Sequence, residues 1–177
     1  KGANANDTSK VMAQRLSEAM WLLQLIQSYD MIYNAKCMTD DDRKLIENDL
    51  IRCAITFING KRAAADEAAA RQKTNPNWRT ADPEGAQGAV GNWVNFYNAA
   101  FIQAGIVMKD QDWIDVGAAS TRMMIARGIG EDGMWKEGAI GYQLFARQAM
   151  VACLEPLARR GFDLYSFQQC RVKNLWD

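Results

Sequence analysis

The chain has 177 residues, 49% of them hydrophobic, with 21 lysines and arginines balanced by 21 aspartates and glutamates. This length and composition can bury the core of a single globular domain, whereas the balanced charge provides no overall field that would attract nucleic acid. We therefore expect no nucleic-acid partner. No apolar run reaches the roughly 18 residues of a membrane span, so we also expect no membrane span.

The four cysteines, Cys37, Cys53, Cys153 and Cys170, are far apart and form no CxxC pair, and the sequence contains no histidine. Both features argue against a zinc site. Free cysteine packs as a small hydrophobe, so we predict buried thiols. We expect no metal and no cofactor.

Long runs of helix-forming residues and only three prolines predict an all-α chain. A first amphipathic helix is expected from Thr8 or Ser9 to about Lys36. A second helix should follow Thr39, which with three aspartates after it is a good N-terminal cap, and should end near Asn59. The short connection predicts an antiparallel hairpin.

Further along the chain, residues 61–72 are rich in alanine and predict a surface or lid-supporting helix. Residues 73–91 are too long for a plain connection and predict a functional or a mobile loop. Three more helices are predicted over 93–108, 113–126 and 140–159. The last of them is expected to bury Leu144, Met150, Val151, Leu154 and Leu157. Helical hairpins of this kind build either a bundle or an open arc of an α/α toroid, and periodicity alone does not choose between them.

A set of short motifs bears on that choice. In chain order they are the run from Tyr29 to Tyr33, the run from Met38 to Arg43, Asn92-Trp93 at the start of a helix, residues 132–138, and Gly141-Tyr142. Over about residues 20–167 the chain resembles the α/α-toroid domain of the heparinase II/III and alginate lyase superfamily. The resemblance implies antiparallel helical hairpins that form part of an (α/α) toroid, an incomplete barrel. It implies one domain over residues 1–177, or a piece of a longer chain that continues into further helices and a β-sandwich.

The resemblance also implies a reaction, the β-elimination of a uronic-acid-containing polysaccharide. The proton on C5 is removed beside a carboxylate whose charge must be neutralised, and the departing O4 must be protonated. Asn92 falls on the family position that neutralises the carboxylate, and its amide can donate two hydrogen bonds without titrating. Tyr142 falls on the position of the general acid, which in some members is also the base.

Other residues near these motifs are candidates for binding an acidic polysaccharide or oligosaccharide. The predicted substrate-binding residues are Trp78, Arg79, Trp93, Trp135, Glu137 and Arg147. Structural alternatives remain for several of them and for the catalytic pair. Asn92 could cap its helix, Tyr142 and the tryptophans could be packed rings, and Glu137 could be a structural hydrogen-bond acceptor.

The chain departs from the family pattern because it lacks histidine. Trp93 follows Asn92 where some relatives have histidine, and Gln143 follows Tyr142 where histidine is frequent. Two functions therefore stay open, a polysaccharide lyase or its toroid portion, and a non-catalytic helical domain that binds an acidic glycan or a protein. The resemblance implies a periplasmic or secreted protein.

Overall fold

The computed structural model describes residues 11–12, 14–59 and 90–176, and these residues form helices without any strand. The predicted all-α class is confirmed. The helices are α1 (Arg15–Ile32), α2 (Asp40–Lys44), α3 (Asn92–Met108), α4 (Gln111–Gly128), α5 (Ile140–Ala158) and α6 (Phe167–Asn174). The chain continues from α2 through a π-helical segment, Leu45–Arg52, into α-helical residues 53–59. The predicted helix over 61–72 and most of the loop over 73–91 lie outside the described residues.

The start of α2 is capped as the sequence predicts. The backbone N–H of Asp42 donates to Thr39 Oγ1 at 3.1 Å, and the Thr39 N–H donates to Asp42 Oδ2 at 3.0 Å. This reciprocal pair is a capping box, which satisfies two backbone donors that would otherwise have no partner within the helix.

Replacing Thr39 with alanine should lower the free energy of unfolding by roughly 1 kcal/mol, because the cap acceptor for the Asp42 N–H is lost. Urea unfolding measures this change. The Thr39→Ser variant keeps the oxygen and serves as the control. Equal stability of the alanine and serine variants would show that the capping box adds nothing.

The core is centred on α3, which packs against α1, α4 and α5. Eleven of its 17 residues are buried. Two glycines allow α4 to approach it closely, because a Cβ at Gly105 would lie 2.8 Å from the Asp110 carbonyl oxygen and a Cβ at Gly117 would lie 2.6 Å from Ile102. Since Gly105 also lies against Ile114 while Ile102 lies against Gly117, the two helices are antiparallel.

The neighbouring pair α3 and α5 runs in the same direction. The rings of Phe96 and Phe145 lie 4.5 Å apart between centroids, and seven residues later on both helices the Gln103 side chain donates to the Ala152 carbonyl at 3.0 Å. Contacts that advance together along both chains require parallel helices. The N-termini of α3 and α5 therefore lie at the same end of the pair.

The inward face of α5 differs from the predicted one. Leu144 and Val151 were expected to be buried, yet they are 55% and 40% exposed. The face that packs inward instead includes two alanines, Ala146 and Ala149. Alanines let a helix approach its neighbour closely, so the buried stripe is rotated away from the larger side chains. The other three residues of the prediction, Met150, Leu154 and Leu157, are buried as expected.

The cysteines are free, but only Cys153 is fully buried. The prediction of buried thiols is wrong for Cys37 and Cys170, which are exposed, and Cys53 is half-buried. Cys37 follows the end of α1, and Cys170 lies among the residues of α6 that adopt a positive φ, where neither packs into the core. Burial raises the pKa of the Cys153 thiol to about 12, although its hydrogen bond with Thr121 acts in the opposite direction.

None of the helices in the described ranges is both long and apolar enough to cross a membrane.

Candidate functional site

The two predicted catalytic residues lie at the same end of a parallel helix pair. Asn92 is the first residue of α3 and Tyr142 is the third residue of α5. Each lies about one turn before the contact between Phe96 and Phe145, so the two residues are at a similar height along their helices. The fold thus brings residues that are 50 positions apart in the sequence to neighbouring helix ends.

Glu137 joins the loop before α5 to the start of α3. Its Oε2 accepts a hydrogen bond from the Asn92 backbone N–H at 3.1 Å and another from Trp135 Nε1 at 2.6 Å. A carboxylate at a helix N-terminus is also favoured by the helix dipole. Glu137 therefore has the structural role that the sequence left open for it, and its role in binding substrate stays a prediction.

Trp135 is a buried ring and not a surface for stacking sugars. Its side chain is 1% exposed, and a Cβ added at Gly128 would lie 2.5 Å from the indole. The backbone holds it in place through a bridge to Ile129 and through the Lys136 N–H, which donates to the Gly128 carbonyl at 2.9 Å. Trp135 is therefore the packed ring of the structural alternative, and its predicted role in binding substrate is wrong, because neither face of its ring is open to a substrate.

Asn92 does not cap its helix. The N-cap position is Gly91, and no side chain caps α3. The Asn92 residue is 1% exposed, and its Oδ1 is enclosed without a hydrogen-bond partner among the described residues. The capping alternative is therefore wrong, and the amide of Asn92 is not used for holding the helix end.

Asn95 was not predicted, and it is the second unpartnered amide at this helix end. It is 0% exposed, and within the described part of the chain neither Oδ1 nor Nδ2 has a hydrogen-bond partner. Its backbone carbonyl accepts a hydrogen bond from the Cys153 thiol at 3.3 Å. The sequence signal was its spacing, since a residue three positions after Asn92 shares the same face of a helix.

Tyr142 and Trp93 are accessible at this end of the helices. The Tyr142 side chain is 52% exposed, so it does not point into a helix interface as the packed-ring alternative requires. Trp93 follows Asn92 in the first turn of α3 and is half-buried, which leaves part of its indole at the surface. Asn92, Trp93 and Tyr142 are the predicted site residues that the fold places around one end of α3 and α5.

Arg147, a predicted substrate-binding cation, lies on α5 on a different side of the helix from Tyr142. Arg147 is five residues after Tyr142, so the helix has turned by about 140° between them, and its guanidinium lies 5.3 Å from the Trp176 ring centroid. The role of Arg147 in binding substrate therefore stays a prediction. Lys136, which was not among the predicted site residues, is next to Glu137 in the sequence, and its pKa is lowered because partial burial outweighs the raising effect of the Glu137 charge. Trp78 and Arg79 lie outside the described residues.

In the parts of the chain that the structure describes, no group of three or more cysteine, aspartate or glutamate residues could hold a metal ion. The side chains at this end of the helices are the Asn92 amide, the Tyr142 phenol, the Trp93 indole and the Glu137 carboxylate, which is bound to the Asn92 N–H.

A family model described as alginate lyase matches residues 59–175, which are 117 of the 177 residues. No curated protein and no solved structure matches the chain. The matched region includes α3, α4 and α5 and therefore both helix ends at the candidate site.

Proposed function

The chain belongs to the alginate lyase family, a family of polysaccharide lyases, and on that premise we propose that it cleaves a uronic-acid-containing polysaccharide by β-elimination. The observation that carries this proposal is the placement of Asn92 and Tyr142 at neighbouring N-termini of the parallel helices α3 and α5. Both residues match the positions at which the family resemblance expects catalytic groups.

Asn92 is proposed to neutralise the uronate carboxylate, for which its side chain, now 1% exposed, has to turn toward the substrate. Removal of the C5 proton places negative charge on that carboxylate, so the reaction is faster when fixed donors are already aimed at it. An amide suits this role because it donates while staying uncharged. Its neighbours support the proposal, because the Asn92 backbone is fixed by Glu137 while the side chain has no structural duty in capping α3.

Tyr142 is proposed to protonate O4 as the glycosidic bond breaks. In the balanced step, Tyr142 in its phenolate form takes the C5 proton, the electron pair of the C5–H bond forms the C4–C5 double bond, the C4–O4 bond breaks, and the phenol formed gives its proton to O4. The exposure of Tyr142 supports this role because a polymer can reach its hydroxyl. Trp93 is proposed to face a sugar ring beside it, since its indole is partly accessible.

The helix arrangement supports the α/α-toroid proposal as well. In such a toroid, successive inner helices run parallel and each is linked to the next through an antiparallel outer helix. Here α3 and α5 run parallel, and α4, which links them, runs antiparallel to α3. The two parallel helices correspond to inner helices of a toroid and α4 to an outer one. We propose a periplasmic or secreted location, because a polysaccharide substrate is encountered outside the cytoplasm.

The proposal is tested by incubating the purified chain with alginate and with glucuronate-containing polysaccharides. Elimination creates a double bond conjugated to the carboxylate, so the product absorbs ultraviolet light. Tyr142→Phe should lower turnover by about 10²–10⁴-fold, because a proton donor is lost without a change of shape. Tyr33→Phe is the matched control, since Tyr33 is another partly exposed tyrosine and lies just after α1.

Two outcomes would contradict the proposal. Equal loss of activity in Tyr142→Phe and Tyr33→Phe would remove the specific role of Tyr142. Binding of a polysaccharide without any unsaturated product would instead favour the non-catalytic glycan-binding domain.

A further inference from the structure

The amides of Asn92 and Asn95 form a pair of buried polar groups on one face of α3. They are 1% and 0% exposed, and they are separated by three residues, so their Cβ atoms are about 5–6 Å apart. Three atoms of this pair, Asn92 Oδ1 and both amide atoms of Asn95, are enclosed and have no hydrogen-bond partner among the described residues.

Such atoms are costly. A buried donor or acceptor without a partner destabilises a protein by about 1–3 kcal/mol, and an apolar residue at position 95 would avoid the cost. The buried residues around the pair are mostly apolar, among them Phe96, Ala99 and Ile102, although Asn98 is a further buried amide one turn along the helix. An asparagine at this place therefore calls for a role other than packing.

We propose that Asn95 is a positioning residue for Asn92, in which the Asn95 amide N–H donates a hydrogen bond to Asn92 Oδ1. The described structure does not contain this bond, and forming it requires the two side chains to rotate toward each other. One such bond gives partners to two of the three enclosed atoms. It fixes the plane of the Asn92 amide and leaves the Asn92 N–H groups for the uronate carboxylate. This inference rests on the proposed lyase function for its consequence, although the hydrogen bond itself does not.

The backbone around Asn95 is already held. Its carbonyl accepts from the Cys153 thiol of α5 at 3.3 Å, and the backbone N–H of Asn92 is bound by Glu137 at 3.1 Å. With the main chain fixed at both residues, the remaining freedom in the Asn92 amide is rotation of its own side chain. Asn95 is the group placed to remove that freedom, and loss of orientation in a catalytic group can cost up to about a hundredfold in rate.

The test combines two measurements on Asn95→Leu, which has a similar volume but no amide. In kinetics, kcat should fall about tenfold to a hundredfold with little change in KM. When Asn95→Leu is added to Asn92→Ala, kcat should fall no further than in Asn92→Ala alone, because Asn95 acts through Asn92. In NMR spectra, the side-chain NH₂ signals of Asn92 should shift and exchange faster with solvent in Asn95→Leu. Asn95→Ala provides the same comparison if the leucine variant does not fold.

The matched control is Gln103→Leu, which removes another largely buried amide from α3 at a distance from Asn92. Gln103 donates to the Ala152 carbonyl and accepts from Gln27, so this variant should lose stability while keeping kcat and the Asn92 signals. Additive losses in the Asn92 and Asn95 double variant, or unchanged Asn92 signals in Asn95→Leu, would overturn the inference. If the wild type has no lyase activity while the signals shift as expected, the proposed function fails and the hydrogen bond stands.

Discussion

Replacing Trp135 with alanine is expected to lower the free energy of unfolding by about 3–5 kcal/mol, which is the usual cost of deleting a buried tryptophan side chain. The indole is 1% exposed and fills the space left by the missing side chain of Gly128. Its removal opens a cavity that the helix backbone of α4 cannot readily close. It also takes away the Nε1–H that donates to Glu137 at 2.6 Å.

Chemical denaturation with a linear extrapolation measures this loss. Trp176→Ala is the matched control, because Trp176 is 36% exposed and contacts Arg147 at the surface, so its deletion should cost less than half as much. Trp135→Phe should fall between the two, since it keeps most of the apolar volume and loses only the donor to Glu137. If Trp135→Ala and Trp176→Ala have the same stability, the buried position assigned to Trp135 is wrong.

The outcome for Trp135 illustrates what the sequence could and could not provide. The N-cap at Thr39 could be predicted from the sequence because it depends only on Thr39 and on Asp42 three residues later. The limits of the last long helix were also predicted closely, over 140–159 against Ile140–Ala158. Trp135 is different because its burial depends on Gly128, and a residue at the end of a helix and a residue in the loop after it give no periodic signal of their contact.

Helix faces were predicted less well than helix limits. The hydrophobic pattern of α5 favoured Leu144 and Val151 as core residues, whereas the close approach of the neighbouring helix selects the face that carries Ala146 and Ala149. A hydropathy pattern weights side chains by size, and helix packing rewards small ones where two backbones come near. The tertiary contact therefore determined which face is buried.

The candidate site was also predicted only in part. Asn92 and Tyr142 were selected through a family resemblance, and their common position at one end of two helices follows from the parallel packing of α3 and α5. Asn95 was overlooked because its spacing of three residues from Asn92 is a weak signal and an asparagine inside a helix carries no motif by itself. Its significance is visible only when its burial and its unpartnered amide are known.

Asn92→Asp is expected to reduce turnover by about 10²–10³-fold near neutral pH, the usual effect of losing a fixed donor to a developing negative charge. The substitution hardly changes the shape of the side chain, but it replaces an amide donor with a carboxylate beside the substrate carboxylate. Two negative charges at a nearly enclosed position repel each other strongly, because water screens them little there. Asn92→Ala should lose the donor without adding the repulsion, and it should therefore be the less impaired variant at that pH.

The pH dependence separates these two effects. Burial and the substrate carboxylate both raise the pKa of the introduced carboxyl, so it becomes protonated as the pH falls through a range above its ordinary value. Once protonated it is neutral and can donate a hydrogen bond, and the activity of Asn92→Asp relative to wild type should rise in that range while that of Asn92→Ala stays constant. Asn34→Asp, which adds the same charge at an exposed position, should follow the wild type throughout. A relative activity of Asn92→Asp that does not depend on pH would mean that Asn92 does not face the uronate carboxylate.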